Sequence, residues 1–432
     1  MSYRNIVGIV LVLVGVVVVA NVVLPNLTKA TYQSAASTQS IAEKKPVVQD
    51  VPTKKIVEDA KPIRTHVPLP QPLKAIYMTS CVVGTPTFRD SVVSIIDTTE
   101  INALVIDIKD FSGTLSFAPT ASELMPAWTG TRCGTKDMES FIQTLHKKGI
   151  YVIGRITVFQ DPFYTKNHPE LAVKRTNGTV WKDYKKLSFI DVGAKPYWDY
   201  IVLLGVDSYN IGFDELNFDY VRYPSDGNLS DVAFTHSGGK DKQENLESFF
   251  KYLHESLADA SRYSAVQHEN TGRDESGPYL SVDLFGMTTS AENDLSIGQV
   301  EERAAPYFDF IAPMVYPSHY PHGFIGLGNP NKYPYEVVHY ALTEGVRRLV
   351  ATTTPMDGFA HTRIGTSTPA LYEKPVYDKD KLRPWLQDFD YGGTYGVPEI
   401  RAQIKAAYDA GLSSWMIWDP ANHYTRGAYL PE

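Results

Sequence analysis

Three acidic side chains, Asp214, Glu215 and Asp219, fall in one short run, GFDELNFDYVRYPSDG, from Gly212 to Gly227. The run is rich in aromatic and β-branched residues and ends at Pro224, Ser225, Asp226 and Gly227, so it reads as a buried strand entering a loop. Alternate side chains on a strand share a face, which puts Glu215, Asn217 and Asp219 together. A polar row inside a core strand is costly unless it is paired or used. Asp219 stands at the loop end and Glu215 lies deeper, while Asp214 points the other way, toward the helices. Asp283, in LSVDLFGMT, holds the corresponding place on the next apolar run and shares a face with Ser281 and Phe285. Two carboxylates on adjacent strands can break a glycosidic bond, one donating a proton to the leaving oxygen while the other attacks the sugar carbon or activates water. Asp219 is therefore expected as nucleophile or base and Asp283 as acid. The bland alternative has Asp219 pairing with Arg222 and Asp283 held by backbone amides.

Substrate-binding roles are expected for the polar residues at the other run ends. Asp107 and Lys109, in VIDIKD, share a face and suggest an ion pair that orients the site. Arg155 lies near the end of the third run. Asn217 and Arg222 flank Asp219, Tyr316 and His319 close APMVYPSHY, and Trp418 and Asp419 close WMIWDP. Asp161, Trp181, Trp385 and Gln387 lie in long insertions and are candidates for further subsites. No metal and no cofactor is expected. His319 and His322 are separated by Pro321 without helical context, and the sequence has no Gly-rich phosphate loop, His-Glu-x-x-His or Gly-x-Ser-x-Gly elbow.

These residues need a scaffold that brings strand ends together. Eight apolar runs follow Lys74: Ala75 to Val82, Ala103 to Lys109, Tyr151 to Val158, Phe213 to Val221, Tyr279 to Phe285, Phe308 to Tyr316, Leu349 to Thr354 and Trp415 to Trp418. Helix-like stretches alternate with them at Phe88 to Ile96, Lys136 to Lys148, Tyr197 to Tyr209, Asn245 to Arg262, Ile297 to Ala305, Tyr335 to Glu344 and Pro398 to Ala410. Thr135 is placed to cap the second of these, which Gly149 closes, and Gly411 closes the last. The alternation predicts a (β/α)8 TIM barrel over residues 74–432 in preference to an open doubly wound sheet, with active residues at its C-terminal face. Gln160 to Lys195 and Asp357 to Gly393 are then long insertions that shape a groove.

Ahead of the barrel, Ile6 to Leu24 is an apolar run long enough to cross a bilayer. With Arg4 before it and no clear cleavage site after it, residues 1–27 read as a transmembrane signal anchor rather than a cleaved signal. Residues 28–73, rich in Lys, Pro, Thr, Ser, Gln and Ala, read as a flexible linker. The barrel is then exported, at the cell surface or in the periplasm. Cys81 and Cys133 are the two cysteines, too few for a disulfide scaffold, though export permits one bridge. The net charge of −8 argues against nucleic acid as partner. The 27 Tyr and 6 Trp suit surfaces that are half apolar and half wet, such as sugar platforms.

GFDELNFDYVRYPSDG, together with VIDIKD, SVDLFGMTT, LSIGQ, DFIAPMVYPSHY and RPWLQDF, resembles a family of bacterial domains of unknown function grouped with the glycoside hydrolases. The resemblance spans Lys74 to the C-terminus and implies a TIM barrel distantly related to α-amylase-type and polygalactosaminidase-type hydrolases, with a carbohydrate substrate. In the amylase-like pattern an Arg precedes the nucleophile by two residues, but Asn217 stands there. The fifth-strand Glu of that pattern is matched by Asp283, and Asp357 is the nearest match to its seventh-strand Asp. The reading that results is a glycoside hydrolase of a cell-surface or extracellular polysaccharide. The alternative is a catalytically inactive barrel that binds cell-wall or capsule glycan.

Overall fold

The structure is a computed structural model that describes residues 61–128, 130, 133–272 and 277–431. The expected signal anchor and most of the expected linker lie outside the described residues. Among the described residues no helix is long and apolar enough to cross a membrane.

Eight parallel strands close into a barrel: β1 (Lys74–Met78), β2 (Ala103–Lys109), β3 (Tyr151–Thr157), β4 (Glu215–Asp219), β5 (Tyr279–Phe285), β6 (Phe310–Met314), β7 (Trp385–Gln387) and β8 (Trp415–Trp418). Helices alternate with them: α1 (Pro86–Ile96), α2 (Met138–His146), α3 (Lys195–Asn210), α4 (Lys242–Leu257), α5 (Glu301–Ala304), α6 (Pro334–Val350) and α7 (Val397–Asp409). The period-2 pattern of the strands explains the two layers of core. Ala75, Tyr77, Val105, Ile153, Ala312 and Met416 fill the barrel interior. Their neighbours Ile76, Leu104, Val152, Leu216, Val282 and Ile417 face outward against the helices. Each fully buried aliphatic side chain of this kind contributes roughly 1.5–3 kcal/mol of transfer free energy.

The seventh strand is not where the sequence suggests. Leu349 and Val350 belong to α6, because its helical period of buried residues continues through Val337, Val338, Ala341, Leu342 and Gly345 to Leu349. Thr353–Thr354 instead joins a small antiparallel sheet with Leu371–Glu373 and Thr362–Ile364. The barrel is completed by three residues, Trp385 to Gln387, paired with β8 and touching β6 through Met314. Two expected helices are also shorter. α4 ends at Leu257 before a separate turn at Ala260–Tyr263, and α5 holds only Glu301–Ala304. The N-cap position of α2 falls at Asp137 rather than Thr135, whereas Gly149 and Gly411 close their helices at positive φ as expected.

The linker read over residues 28–73 gives way to ordered chain before Lys74. Ile63–Thr65 pairs in parallel with Gln267–Glu269. Asp214 anchors this arm from the start of β4: its Oδ1 meets His66 Nδ1 at 3.0 Å and accepts from the Val67 amide at 3.0 Å, while its Oδ2 meets His146 Nε2 at 3.0 Å. Asp214 therefore faces away from the barrel axis. Cys81 and Cys133 form a disulfide that ties the turn after β1 to the loop between β2 and α2.

Candidate active site

Cross-strand register decides which side chains meet. Asp107 is level with Arg155, Arg155 with Asn217, and Asn217 with Ser281. These four form one inward layer. Asp219 and Asp283 stand two residues further along β4 and β5, nearer the C-terminal face.

Arg155 is the hub of this layer. Its Nη1 donates to Asp107 Oδ1 at 2.7 Å, its Nη2 donates to Asp219 Oδ2, and its Nε lies 3.8 Å from Asp283 Oδ2. The planar fork of a guanidinium suits this multiple role. The Arg155 guanidinium carbon lies 4.9 Å from the centre of the Trp418 ring, which itself stacks on Tyr77 at 3.8 Å. Tyr77 donates its hydroxyl to Asp107 Oδ2 at 2.5 Å. All of these carboxylates are buried.

The two acids are held differently. Asp219 Oδ1 accepts from the backbone N–H of Tyr220 at 2.6 Å, and Tyr220 adopts φ = +51°. A left-handed aromatic residue carries backbone strain of about 1–3 kcal/mol, and such strain gathers where geometry must be fixed. The ladder to β3 holds the turn in place, with Val158 and Phe159 donating to the carbonyls of Asp219 and Tyr220 at 2.8 and 3.2 Å. Asp283 Oδ1 accepts from the Asn217 amide at 2.9 Å and from the Trp385 indole at 2.8 Å. Burial, and secondarily the charge of Asp219, push the Asp283 carboxyl up to about 8 against the opposing pull of Arg155 and these hydrogen bonds. Asp283 is thus a protonated acid at neutral pH, its Oδ2 being the oxygen free of the Asn217 and Trp385 donors. Burial also pushes Asp107 up, to about 6, with Arg155 pulling it back.

A pocket of about 190 Å³ opens above this cluster, lined by Arg155, Asp219, Asp283, Met314, Tyr316 and Trp418. Tyr220, Arg222 and His319 border both the pocket and a wider groove of about 1280 Å³. Among the expected site residues, Asp219, Asp283, Arg155, Tyr316 and Trp418 thus line the pocket, and Arg222 and His319 stand at its mouth. Arg222 does not pair with Asp219; it donates to the Tyr223 carbonyl and the Ser225 hydroxyl and lies over the rings of Tyr220 and Phe285. Asp419 lines the groove while accepting from the N–H groups of Ala421 and His423. Asp107 and Asn217 lie beneath the pocket, one holding Arg155 and the other holding Asp283.

Lys109 departs from the expectation. A β-bulge between Asp107 and Lys109 shifts the register of β2 on β3. One inserted residue turns the following side chains to the other face. Lys109 consequently leaves the Asp107 face and forms a buried ion pair with Asp161 at 2.8 Å, outside the pocket. Asp161 and Trp181 are spent structurally, Trp181 packing on Phe189 and donating to the Asn228 carbonyl, and the buried Gln387 amide donates to the Phe389 carbonyl and accepts from the Ser318 N–H. Asp357 pairs with Arg303 of α5 and does not line the pocket. The carboxylate that follows β7 is Asp388, which accepts from Thr425 and Tyr429 and so braces the loop after β8. The sequence alone puts Trp385 in an insertion and marks neither Tyr77 nor Tyr220 as a site residue. The signal for Trp385 was its alternation with Gln387 in RPWLQDF, too short to show a period.

An eight-stranded parallel barrel with carboxylates converging at its C-terminal face has the architecture of TIM-barrel glycosidases. Residues 75–424 match the family described as "Putative glycosyl hydrolase domain", and the chain belongs to that family. No match is found among curated proteins. Among solved structures, a hypothetical protein from Ruminiclostridium thermocellum is 32% identical over 45% of this chain and 95% of its own, with a TM-score of 0.39. The PgaB (BpsB) glycoside hydrolase domain from Bordetella bronchiseptica covers 86% of this chain and 99% of its own at 11% identity and a TM-score of 0.52, a likeness of fold. An α-galactosidase from Thermus thermophilus covers 84% of this chain and 60% of its own at 11% identity, with a TM-score of 0.44.

Proposed function

We propose that the chain hydrolyses the glycosidic bonds of a cell-surface or extracellular polysaccharide, with Asp283 as the acid and Asp219 as nucleophile or base. The observation that carries this reading is the unequal pair of carboxylates on one guanidinium. Asp283 keeps its proton at neutral pH, while Asp219 faces Arg155 directly. Two neighbouring carboxyls held in unlike surroundings are the usual mark of an acid and its partner. The proton on Asp283 passes to the leaving oxygen, and Asp219 either attacks the anomeric carbon or takes a proton from the attacking water. Trp418 and Tyr316 supply apolar walls for the ring. Membership of the family supports a carbohydrate substrate. Export of the barrel on an N-terminal anchor is part of the proposal, supported by the apolar run Ile6 to Leu24 and by a disulfide that suits an oxidising compartment.

The full chain and its Asp219→Asn variant are to be compared on a broad panel of glycans, by release of reducing ends and by affinity electrophoresis. The variant loses about 10²- to 10⁴-fold in rate and keeps its binding. Full activity in the variant removes Asp219 from the chemistry. Binding without hydrolysis by the native chain across the panel favours the inactive glycan-binding barrel.

A further inference from the structure

The pocket above Asp219 and Asp283 holds about 190 Å³, below the roughly 300–1,000 Å³ typical of sites that engulf a drug-sized ligand. It takes little more than one sugar ring. The groove around it is several times larger, at about 1280 Å³, and its walls come from opposite sides of the barrel. On one flank Phe111 follows β2, and Tyr184 and Lys185 belong to the insertion after β3. On the other, Phe389 and Tyr391 follow β7, a strand that lies across the ring from β3. The pocket therefore sits along the groove and not at a closed end of it.

The flanks present aromatic faces to solvent. Tyr184 is 76% exposed, Tyr391 63% and Phe111 56%. Large rings left this open beside a pocket mark a binding surface, and a sugar ring stacks on such faces. Charge adds a second constraint. Asp183, Asp226, Asp388, Asp390 and Asp419 line the groove, against Lys185 and Arg222. Several are pinned by their own loops, Asp183 by the Leu187 N–H, Asp390 by the Tyr395 N–H and Asp419 by the Ala421 N–H. Carboxylates fixed in this way cannot swing aside from an anionic chain, and repulsion within a groove is only partly screened by salt.

We infer that the groove binds a polysaccharide that runs from the Tyr184 flank to the Tyr391 flank, so that the pocket meets an internal linkage of an uncharged or amine-bearing chain. This inference rests on the hydrolase reading and specifies its substrate and its mode of attack. An enzyme of this shape cuts within chains, whereas a blind pocket trims their ends.

The test uses the full chain carrying Asp219→Asn, titrated by affinity electrophoresis with xylan (neutral), chitosan (amine-bearing) and polygalacturonate (anionic), and with the disaccharide of each. Xylan or chitosan binds at least about tenfold tighter than its disaccharide, and polygalacturonate does not bind. Tyr184→Ala and Tyr391→Ala each weaken polymer binding by roughly three- to tenfold, leaving the disaccharide unchanged. With the native chain, viscosity falls before monosaccharide accumulates. The inference is overturned by any of four results: no binding to either xylan or chitosan, preference for polygalacturonate, polymer affinity indifferent to both tyrosines, or monosaccharide as the first product. Tyrosine-dependent polymer binding with no cleavage by the native chain upholds the groove and sinks the hydrolase reading.

Discussion

Asp283→Asn replaces a buried carboxylic acid with a neutral side chain of the same shape, retaining an acceptor for the Asn217 amide and the Trp385 indole. The native carboxyl titrates at about 8 in the folded chain and near 3.9 in an unfolded one. Between those values the folded protein holds a proton that the unfolded chain releases, so native stability falls as pH rises. At about 1.36 kcal/mol per pH unit the whole span is worth roughly 6 kcal/mol, a ceiling because local relaxation and entering water soften the burial of charge. The variant has no such ionisation. Urea unfolding from about pH 4.5 to about pH 8.5 therefore gives a flatter stability curve for Asp283→Asn, by several kcal/mol, and the variant is the more stable protein at the alkaline end. Hydrolysis moves the opposite way, falling about 10²- to 10⁴-fold, and native activity declines as pH rises through about 8. Parallel stability curves for the two proteins would refute the reasoning, because Asp283 would then be ionised at neutral pH and unable to serve as the acid.

Lys109→Met breaks a fully buried ion pair with Asp161, which costs about 3–5 kcal/mol when one partner is removed; urea midpoints fall while the KM for substrate holds. A raised KM with undiminished stability would return Lys109 to the site. Asp214→Asn loosens the N-terminal arm. Burial pushes the Asp214 carboxyl up, but hydrogen bonds with His146 and His66 hold it below the usual carboxylate range. Its contribution is therefore complete above about pH 4 and is lost as pH falls through that lower value. Trypsin cleavage after Arg64 should accelerate in the variant at neutral pH, and unchanged digestion would show that the arm is held by the Ile63–Thr65 pairing alone.

Seven of the eight barrel strands were legible because each carries enough alternation or continuous apolar length to announce itself. Trp385 to Gln387 carries neither, and the β-branched run at Leu349 to Thr354 supplied a false seventh strand. The placing of Asp219 and Asp283 at one pocket was legible because both stand near the ends of long apolar runs that the alternation marks as neighbouring strands. Lys109 was misplaced because a bulge leaves no mark in a single sequence, and counting by twos fails beyond it. The amylase-like pattern places its Arg on β4, two residues before Asp219, where Asn217 stands. The guanidinium that meets Asp219 comes from β3, and only cross-strand register reveals that Asp107, Arg155 and Asn217 are level with one another.

The three carboxylates gathered on Arg155 have a consequence for how charge evolves during a reaction. Asp283, which holds its proton, stands beside Asp219 on the same guanidinium. On the proposed reading, donation of the Asp283 proton leaves a carboxylate there while Asp219 spends its own negative charge on the sugar carbon or on the proton of the attacking water, so charge moves across the guanidinium and the total is unchanged. In a buried cluster that shift is diluted less than it would be in bulk water. The acid would thus do two jobs in one step, releasing the leaving group and leaving Arg155 a carboxylate partner as the one on Asp219 is consumed.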